Sequence, residues 1–229
     1  MTTRTGIAPL FPESQSLVNR VGHAVRRAIL EGRLRPGETL SISDLAADLG
    51  VSHSPVREAL QGLSGQGLVL LRPGRTAVVA PLDLSELEEI YRIRELVEAD
   101  ALGRAAARLT DAHVEIVERQ FDLLSAAATD SDPFWDAHNA FHTALMAPVL
   151  TTRLERVTTE LWHAAERYIR IVYMETDVLF TRSPRERHEP LLAAARARDG
   201  EALRAAMTDH LRHNHEEVAG SLKRILPAE

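Results

Sequence analysis

The sequence predicts a mainly α protein with two domains, an N-terminal winged helix-turn-helix followed by an all-helical antiparallel bundle. Two observations support this fold class. Residues 45–80 combine two short helical patterns, a Gly-Val-Ser turn and two apolar segments around a Pro-Gly pair, which is the layout of a winged helix-turn-helix. From residue 84 onward, apolar residues recur at spacings of three and four with short breaks between segments, which favours a bundle of amphipathic helices.

The chain begins with a predicted disordered lead-in and a first helix. Residues 1–16 contain two prolines and two serines and show no regular apolar pattern. Residues 17–30 place apolar side chains on one helix face and three arginines on the other, and Gly32 ends the helix. The Pro-Gly pair in residues 35–38 predicts a turn.

The two helices of the helix-turn-helix are predicted from the apolar residues on one face and from the residues that begin or end each helix. Leu45, Ala46 and Leu49 form the apolar stripe of a short helix, which ends at Gly50. The next helix begins at Ser54-Pro55, because a proline is tolerated in the first turn of a helix.

Polar side chains crowd the N-terminus of this second helix, the end that helix-turn-helix motifs direct at base edges in the major groove. Arg57 is favoured as a DNA contact because arginine is the commonest bidentate reader of guanine. The two serines could equally cap the helix, since serine is a preferred capping residue. The predicted DNA-facing residues of the helix are Ser52, His53, Ser54 and Arg57.

A predicted wing completes the DNA-binding domain, which spans residues 17–80. Residues 68–71 and 77–80 are short apolar strands on either side of a Pro-Gly turn. Gly74 would let the wing approach the DNA backbone, and Arg75 would contact a phosphate.

Residues 84–229 are predicted to form the second domain, after a linker of residues 81–83. Prolines, glycines and capping residues divide this part of the chain into helical segments joined by short loops. The predicted helices span residues 84–109, 111–128, 132–147, 151–176, 184–199 and 200–226.

Charge and composition narrow the class of protein. The formal net charge is -6, yet residues 1–80 carry nine arginines and no lysine against six acidic residues, so the excess negative charge lies in the second domain. A positive N-terminal domain suits contact with phosphates. The chain has no cysteine, which excludes disulfides and thiolate metal sites. No apolar run approaches the roughly 20 residues that span a bilayer, so we expect a cytoplasmic protein without membrane contact.

Several longer motifs stand out in the first domain. They are Ile29-Leu30-Glu31-Gly32-Arg33-Leu34-Arg35-Pro36-Gly37-Glu38, Leu45-Ala46, Leu49-Gly50-Val51-Ser52 and Ser54-Pro55-Val56-Arg57-Glu58-Ala59-Leu60. These motifs resemble those of the GntR family of bacterial transcription regulators. The helical part contains Phe141-His142, Arg187-His188-Glu189-Pro190-Leu191-Leu192-Ala193-Ala194 and Ala205-Ala206-Met207-Thr208-Asp209-His210-Leu211. These segments resemble the FCD ligand-sensing domain of the FadR subfamily. The resemblance implies a homodimer that binds a pseudopalindromic DNA operator and responds to a small organic-acid effector.

The chain departs from the family pattern within the helix-turn-helix. The family usually has a Glu-Arg pair before its first helix and an arginine early in the turn, where this chain has Ile42-Ser43 and His53. Because arginine reads guanine and anchors phosphates, we expect an altered operator preference.

Four of the ten histidines form a predicted metal site. His138 and His142 lie four residues apart and therefore on one helix face, where two imidazoles can reach one ion. The resemblance implies ligation by His142, His188 and His210, and His138 stands where many relatives have an aspartate ligand. Four imidazoles suit zinc, with nickel as the alternative, and leave a coordination position for a ligand carboxylate. Each histidine alone could instead be a surface residue or a hydrogen-bonded core residue.

Arg94 is the predicted effector-binding residue. If the effector is an acid, a cation is expected beside the metal, and the Arg94–Glu98 spacing looks like that of the family. The same spacing also suits an ordinary ion pair on a solvated helix face, so both interpretations stay open.

The sequence therefore predicts a transcription regulator, a repressor, whose operator affinity an organic acid controls from beside a metal. The competing hypothesis is a metal-dependent hydrolase built on the histidines. It needs a general base beside the metal, and no carboxylate lies at a suggestive spacing. A third hypothesis gives the metal a purely structural role.

Overall fold

The computed structural model describes residues 16–73, 76–128, 131–176 and 181–226. Its backbone contacts divide the chain into two units, Met1–Pro81 and Leu82–Glu229. The predicted lead-in lies outside the described residues except for Ser16, whose hydroxyl accepts a hydrogen bond from the Asn19 N–H and caps the first helix.

Unit 1 is a small helical domain with a three-stranded antiparallel sheet in the order β1-β3-β2. Its elements are α1 (Leu17–Leu30), β1 (Thr39–Ser41), α2 (Ile42–Leu49), α3 (His53–Gly65), β2 (Val69–Leu71) and β3 (Thr76–Val79). Strand β1 was not predicted from the sequence, because three residues are too few to show a strand period. Leu40 of β1 lies opposite Ala77 of β3 and joins the core of the unit.

The helix-turn-helix has the predicted layout with small shifts in its limits. Gly50 ends α2 in the left-handed region with a φ of 63°, a conformation that glycine adopts at little cost. The next helix, α3, begins at His53, one residue before the predicted start at Ser54-Pro55. Val56 and Leu60 of α3 are completely buried and join the core that α1 completes with Val21, Val25 and Ile29.

In the described part of unit 2, helices pack around α10. The elements are α4 (Leu84–Arg94), a π-helical turn (Glu95–Ala99), α5 (Asp100–Ala106), α6 (Asp111–Ala126), α7 (Asp132–Met146), a 3-10 turn (Ala147–Val149), α8 (Thr152–Thr176), α9 (Pro184–Ala197) and α10 (Gly200–Ile225). The predicted helix of residues 84–109 is therefore α4 and α5 joined by the π-helical turn. The last helix, α10, contacts α4, α5, α8, α9 and this turn.

Capping residues set the limits of these helices. Thr110 and Ser183 each form a capping box with the residue three positions later, and Asp199 accepts from two N–H groups at the start of α10. Large side chains such as Phe121, Phe141 and Tyr168 fill the core of the unit. No helix in the described part of the chain combines the length and apolarity needed to cross a membrane.

Candidate functional site

The four predicted histidines meet inside unit 2. The inner face of α7 carries His138 and His142, while α9 contributes His188 and α10 contributes His210. One nitrogen from each ring lies within 4.8 Å of the corresponding nitrogens of the others, and all four side chains are buried. We call these four residues the histidine cluster.

The hydrogen bonds of the histidine cluster orient its rings. Nδ1 of His188 lies 2.7 Å from the Pro184 carbonyl oxygen, and Nδ1 of His210 lies 3.3 Å from the Arg187 carbonyl oxygen. Because a carbonyl can only accept, each Nδ1 carries the proton and each Nε2 keeps its lone pair. Such carbonyl contacts are the usual second partners of metal-binding histidines.

Burial lowers the pKa of every member of the histidine cluster. The pKa of His188 falls to about 3, first because of burial and then because of the Arg187 charge. The pKa values of His138, His142 and His210 also lie well below the usual value, because of burial and the neighbouring charges. The rings are therefore neutral near pH 7, the protonation state that a metal ligand requires.

The donor set of the cluster fits a divalent metal ion. Nε2 of His142 and Nε2 of His188 are buried and have no hydrogen-bond partner among the described residues. Nε2 of His210 lies 3.1 Å from the side-chain amide nitrogen of Asn214 and accepts a hydrogen bond from it. Each of the four side chains is at most 8% exposed, so none of them is the surface histidine of the alternative interpretation.

Arg94 lies beside the cluster in a buried ion pair. Its Nε lies 2.7 Å from Oε1 of Glu98, and the exposed fractions of the two side chains are 3% and 0%. The alternative of an ion pair on a solvated face is therefore wrong. Burial alone would lower the pKa of Arg94, but Glu98 and Tyr91 raise it, so the guanidinium stays charged. This charge in turn lowers the pKa values of His138, His142 and His210.

The structure adds polar residues that the sequence analysis did not single out. Arg187 is 8% exposed, and its Nη1 lies 3.4 Å from Oδ1 of Asn214. Burial lowers the pKa of Arg187 to about 10. Asn214 follows His210 by one helical turn, and this spacing could have indicated that the two residues share a face of α10. Tyr91 lies one turn before Arg94, and its ring centroid is 5.2 Å from the Arg94 guanidinium.

The predicted DNA-facing residues of α3 lie on its exposed side. Ser52, His53, Ser54 and Arg57 are exposed, whereas the opposite side of the helix faces the core. Ser52 is the N-cap residue, yet its side chain makes no capping hydrogen bond, so the capping alternative is not observed for it. The Ser54 hydroxyl donates to Oε1 of Glu58 at 3.0 Å. Gly74 and Arg75 lie outside the described residues.

Two family models match this chain. Residues 17–79 match the gntR family of bacterial regulatory proteins, and residues 89–213 match the FCD domain. The first match covers α1 to β3, and the second covers all four members of the histidine cluster together with Arg94 and Glu98.

Characterised relatives and solved structures are similar over nearly the whole chain. The chain is 29% identical to the HTH-type transcriptional repressor RspR of Escherichia coli strain K12, over 98% of this chain and 95% of RspR. It is 31% identical to the repressor GlaR of the same organism, over 82% of this chain and 89% of GlaR. The structure of E. coli McbR/YncC matches with a TM-score of 0.71 and 25% identity, over 93% of this chain and 100% of that chain. The structure of a putative GntR regulator from Rhodococcus sp. RHA1 matches with a TM-score of 0.73 and 26% identity, over 90% of this chain and 99% of that chain.

Proposed function

Since the chain belongs to the GntR family of DNA-binding transcription regulators and carries an FCD domain, we propose that it is a repressor controlled by a small organic acid. The acid binds beside a metal ion in unit 2 and changes the affinity of the protein for its operator. The histidine cluster carries this proposal, because four neutral imidazoles converge inside an effector-domain fold and two of them have a buried Nε2 without a partner among the described residues.

The residues of the cluster would hold zinc, with nickel as the alternative. Imidazole nitrogens suit both ions, and the absence of carboxylates and thiolates from the cluster disfavours magnesium and manganese. When bound, the metal supplies a localised positive charge and a coordination position for a carboxylate oxygen. The Nδ1 contacts of His188 and His210 keep the ligating nitrogens directed inward.

The charge around the cluster favours an anionic effector. Arg94 and Arg187 are buried cations whose charges act on the neighbouring imidazoles. A guanidinium binds a carboxylate through charge-assisted hydrogen bonds, which are stronger in a buried site than in water. An organic acid therefore finds both a metal position and arginine donors in this part of the unit.

The proposed response passes along α4. This helix begins after the linker that follows the DNA-binding domain and ends at Arg94. A ligand that moves Arg94 acts on the same rigid helix that starts at the linker. Two copies of the chain would place their α3 helices on half-sites of a pseudopalindromic operator, and a change in α4 would alter how well both helices fit.

The comparisons favour a regulator over the hydrolase hypothesis. The relatives RspR and GlaR are transcriptional repressors, and the solved neighbours are regulators rather than enzymes. Repression is therefore the proposed direction of control for this chain too. The hydrolase hypothesis has no support from any of these matches.

Metal analysis of protein purified without a histidine tag tests the proposal. We expect about one equivalent of zinc or nickel per chain, and loss of this metal in a His142→Ala, His188→Ala double variant. His213→Ala is the matched control, because His213 lies on α10 three residues after His210 and outside the histidine cluster. Operator binding, measured with duplexes that the wild-type protein selects from a random pool, should persist in the double variant while its response to acids is lost. Wild-type protein without metal would overturn the proposal.

A further inference from the structure

Glu98 has a buried carboxylate oxygen that the fold leaves without a partner. Its Oε1 accepts from Arg94 Nε, but its Oε2 is buried and has no hydrogen-bond partner among the described residues. A buried acceptor without a donor costs about 1–3 kcal/mol, and more when it is charged.

Glu98 belongs to a local irregularity of the backbone. Glu98 lies in the π-helical turn, where the helix takes one extra residue per turn and shifts the register of its side chains. Single π-helical turns of this kind occur frequently at functional sites. The turn packs against α10, the helix that carries His210 and Asn214.

Other buried polar atoms without partners lie beside the histidine cluster. The indole N–H groups of Trp135 and Trp162 are buried and have no hydrogen-bond partner in the described part of the chain. Their rings lie 5.9 Å from His138 and 6.1 Å from His142. Arg94, whose charge acts on three histidines of the cluster, thus connects the Glu98 acceptor with the donors beside the cluster.

We infer that Glu98 accepts a hydrogen bond from a hydroxyl group of the effector, so that the site selects hydroxylated carboxylic acids over the same acids without hydroxyls. This inference rests on the proposed function. An ionised effector carboxylate has no proton to donate and would be repelled by Glu98. An effector ammonium group could donate, but Arg94, Arg187 and the bound metal would repel it. A hydroxyl is the neutral donor that fits.

Two series of probe acids isolate the hydroxyl group. Succinate, malate and tartrate are four-carbon diacids with none, one and two hydroxyls. Propionate, lactate and glycerate repeat this series for three-carbon monoacids. Affinities for the zinc-loaded full-length protein are measured by calorimetry. Tryptophan fluorescence gives a second readout, because Trp135 and Trp162 are the two tryptophans of the chain and both lie beside the cluster.

We expect a hydroxylated acid to bind roughly 10- to 150-fold more tightly than its parent, which corresponds to one hydrogen bond to a charged group. The Glu98→Gln variant should lose most of this ratio. Since Arg94 requires an oxygen partner, the new amide NH₂ takes the place of Oε2 and cannot accept. Glu166→Gln is the matched control, because Glu166 forms a buried ion pair of the same spacing with Arg170. This control should keep the wild-type ratio.

The outcomes separate this inference from the proposal on which it rests. Equal affinities within both series, or an unchanged ratio in Glu98→Gln, would overturn the role of Glu98 while leaving metal-dependent acid binding in place. If none of the six acids binds the zinc-loaded protein, or if binding is unaffected by removal of the metal, both the inference and the proposed effector site fail.

Discussion

Acidification should destabilise the metal-free protein strongly, because the histidine cluster is buried in its neutral form. The folded-state pKa values of the four rings lie below the usual histidine value, to about 3 for His188. The unfolded chain therefore binds more protons than the folded chain once the pH falls below about 6.5. The contribution to stability is fully present above that pH and is lost as the pH falls toward the folded-state pKa values.

The size of the loss follows from proton linkage. Between pH 7.5 and 5.5, a histidine with an unfolded pKa of about 6.5 that stays neutral in the folded state costs about 1.4 kcal/mol of unfolding free energy. The four rings together cost about 5.5 kcal/mol over this range. Loss on this scale is comparable to the whole stability of many domains, which is about 5–15 kcal/mol. A His142→Gln, His210→Gln double variant removes two of the four rings and should lose about 3 kcal/mol less over the same range.

Urea unfolding at the two pH values in the presence of a chelator measures this effect. Fluorescence of Trp135 and Trp162 reports on unit 2 alone, since both residues lie in it. Comparison of wild type with the double variant removes the contribution of groups outside the cluster. A His188→Gln single variant guards against misfolding of the double variant and should reduce the loss by about 1.4 kcal/mol. Identical pH dependence in all three proteins would refute the argument that these rings are buried and neutral.

Three further predictions concern other parts of the molecule. Arg57→Ala should weaken operator binding by about 1–3 kcal/mol in fluorescence anisotropy, because exposed Arg57 is the favoured base contact of α3. Tyr168→Phe should lower the unfolding free energy of unit 2 by about 1–3 kcal/mol in urea, because the Tyr168 hydroxyl donates to Glu86. Phe141→Ala should lower it by about 3–5 kcal/mol, because Phe141 is completely buried in the core.

Residues of the same type at other positions of the chain serve as controls for two of these predictions. Arg33 is exposed in unit 1, so Arg33→Ala should leave operator binding within about twofold of wild type. Tyr173 is only half-buried, and Tyr173→Phe should change stability by less than about 0.5 kcal/mol. If Arg57→Ala weakens binding equally to operator and unrelated DNA, then Arg57 contacts phosphates rather than bases.

Short-range signals in the sequence predicted most helix limits. The first helix begins and ends where the pattern places it, at Leu17 and Leu30, since capping residues and glycines act locally. The π-helical turn could not be predicted, because residues 95–99 contain no proline or glycine and continue a helical pattern. Glu98 of this turn lies in the interior beside Arg94, and its burial depends on packing that a single helix does not encode.

The candidate site was predictable only in part for the same reason. The spacing of His138 and His142 places them on one face, but their meeting with His188 and His210 depends on how α7, α9 and α10 pack. Spacing alone suggested the histidine pair, and the family resemblance supplied the other two. The burial of the Arg94–Glu98 pair could not be decided from the sequence, because a solvated pair has the same spacing.

Some buried polar groups in unit 2 have partners within the chain and others do not, and this difference separates structural from binding roles. The Tyr168 hydroxyl donates to Glu86 and accepts from the Asp83 N–H. These two hydrogen bonds connect α8 with the start of α4. Around the histidine cluster, by contrast, Glu98 Oε2 and the Nε2 atoms of His142 and His188 have no partner among the described residues. Burial removes both sets of polar groups from water at a cost in desolvation free energy. Only the Tyr168 hydroxyl regains this free energy through hydrogen bonds within the chain. Buried atoms without a partner in the chain can recover this desolvation free energy by binding a metal and its ligand. The histidine cluster, rather than the Tyr168 contact, is therefore the candidate effector site.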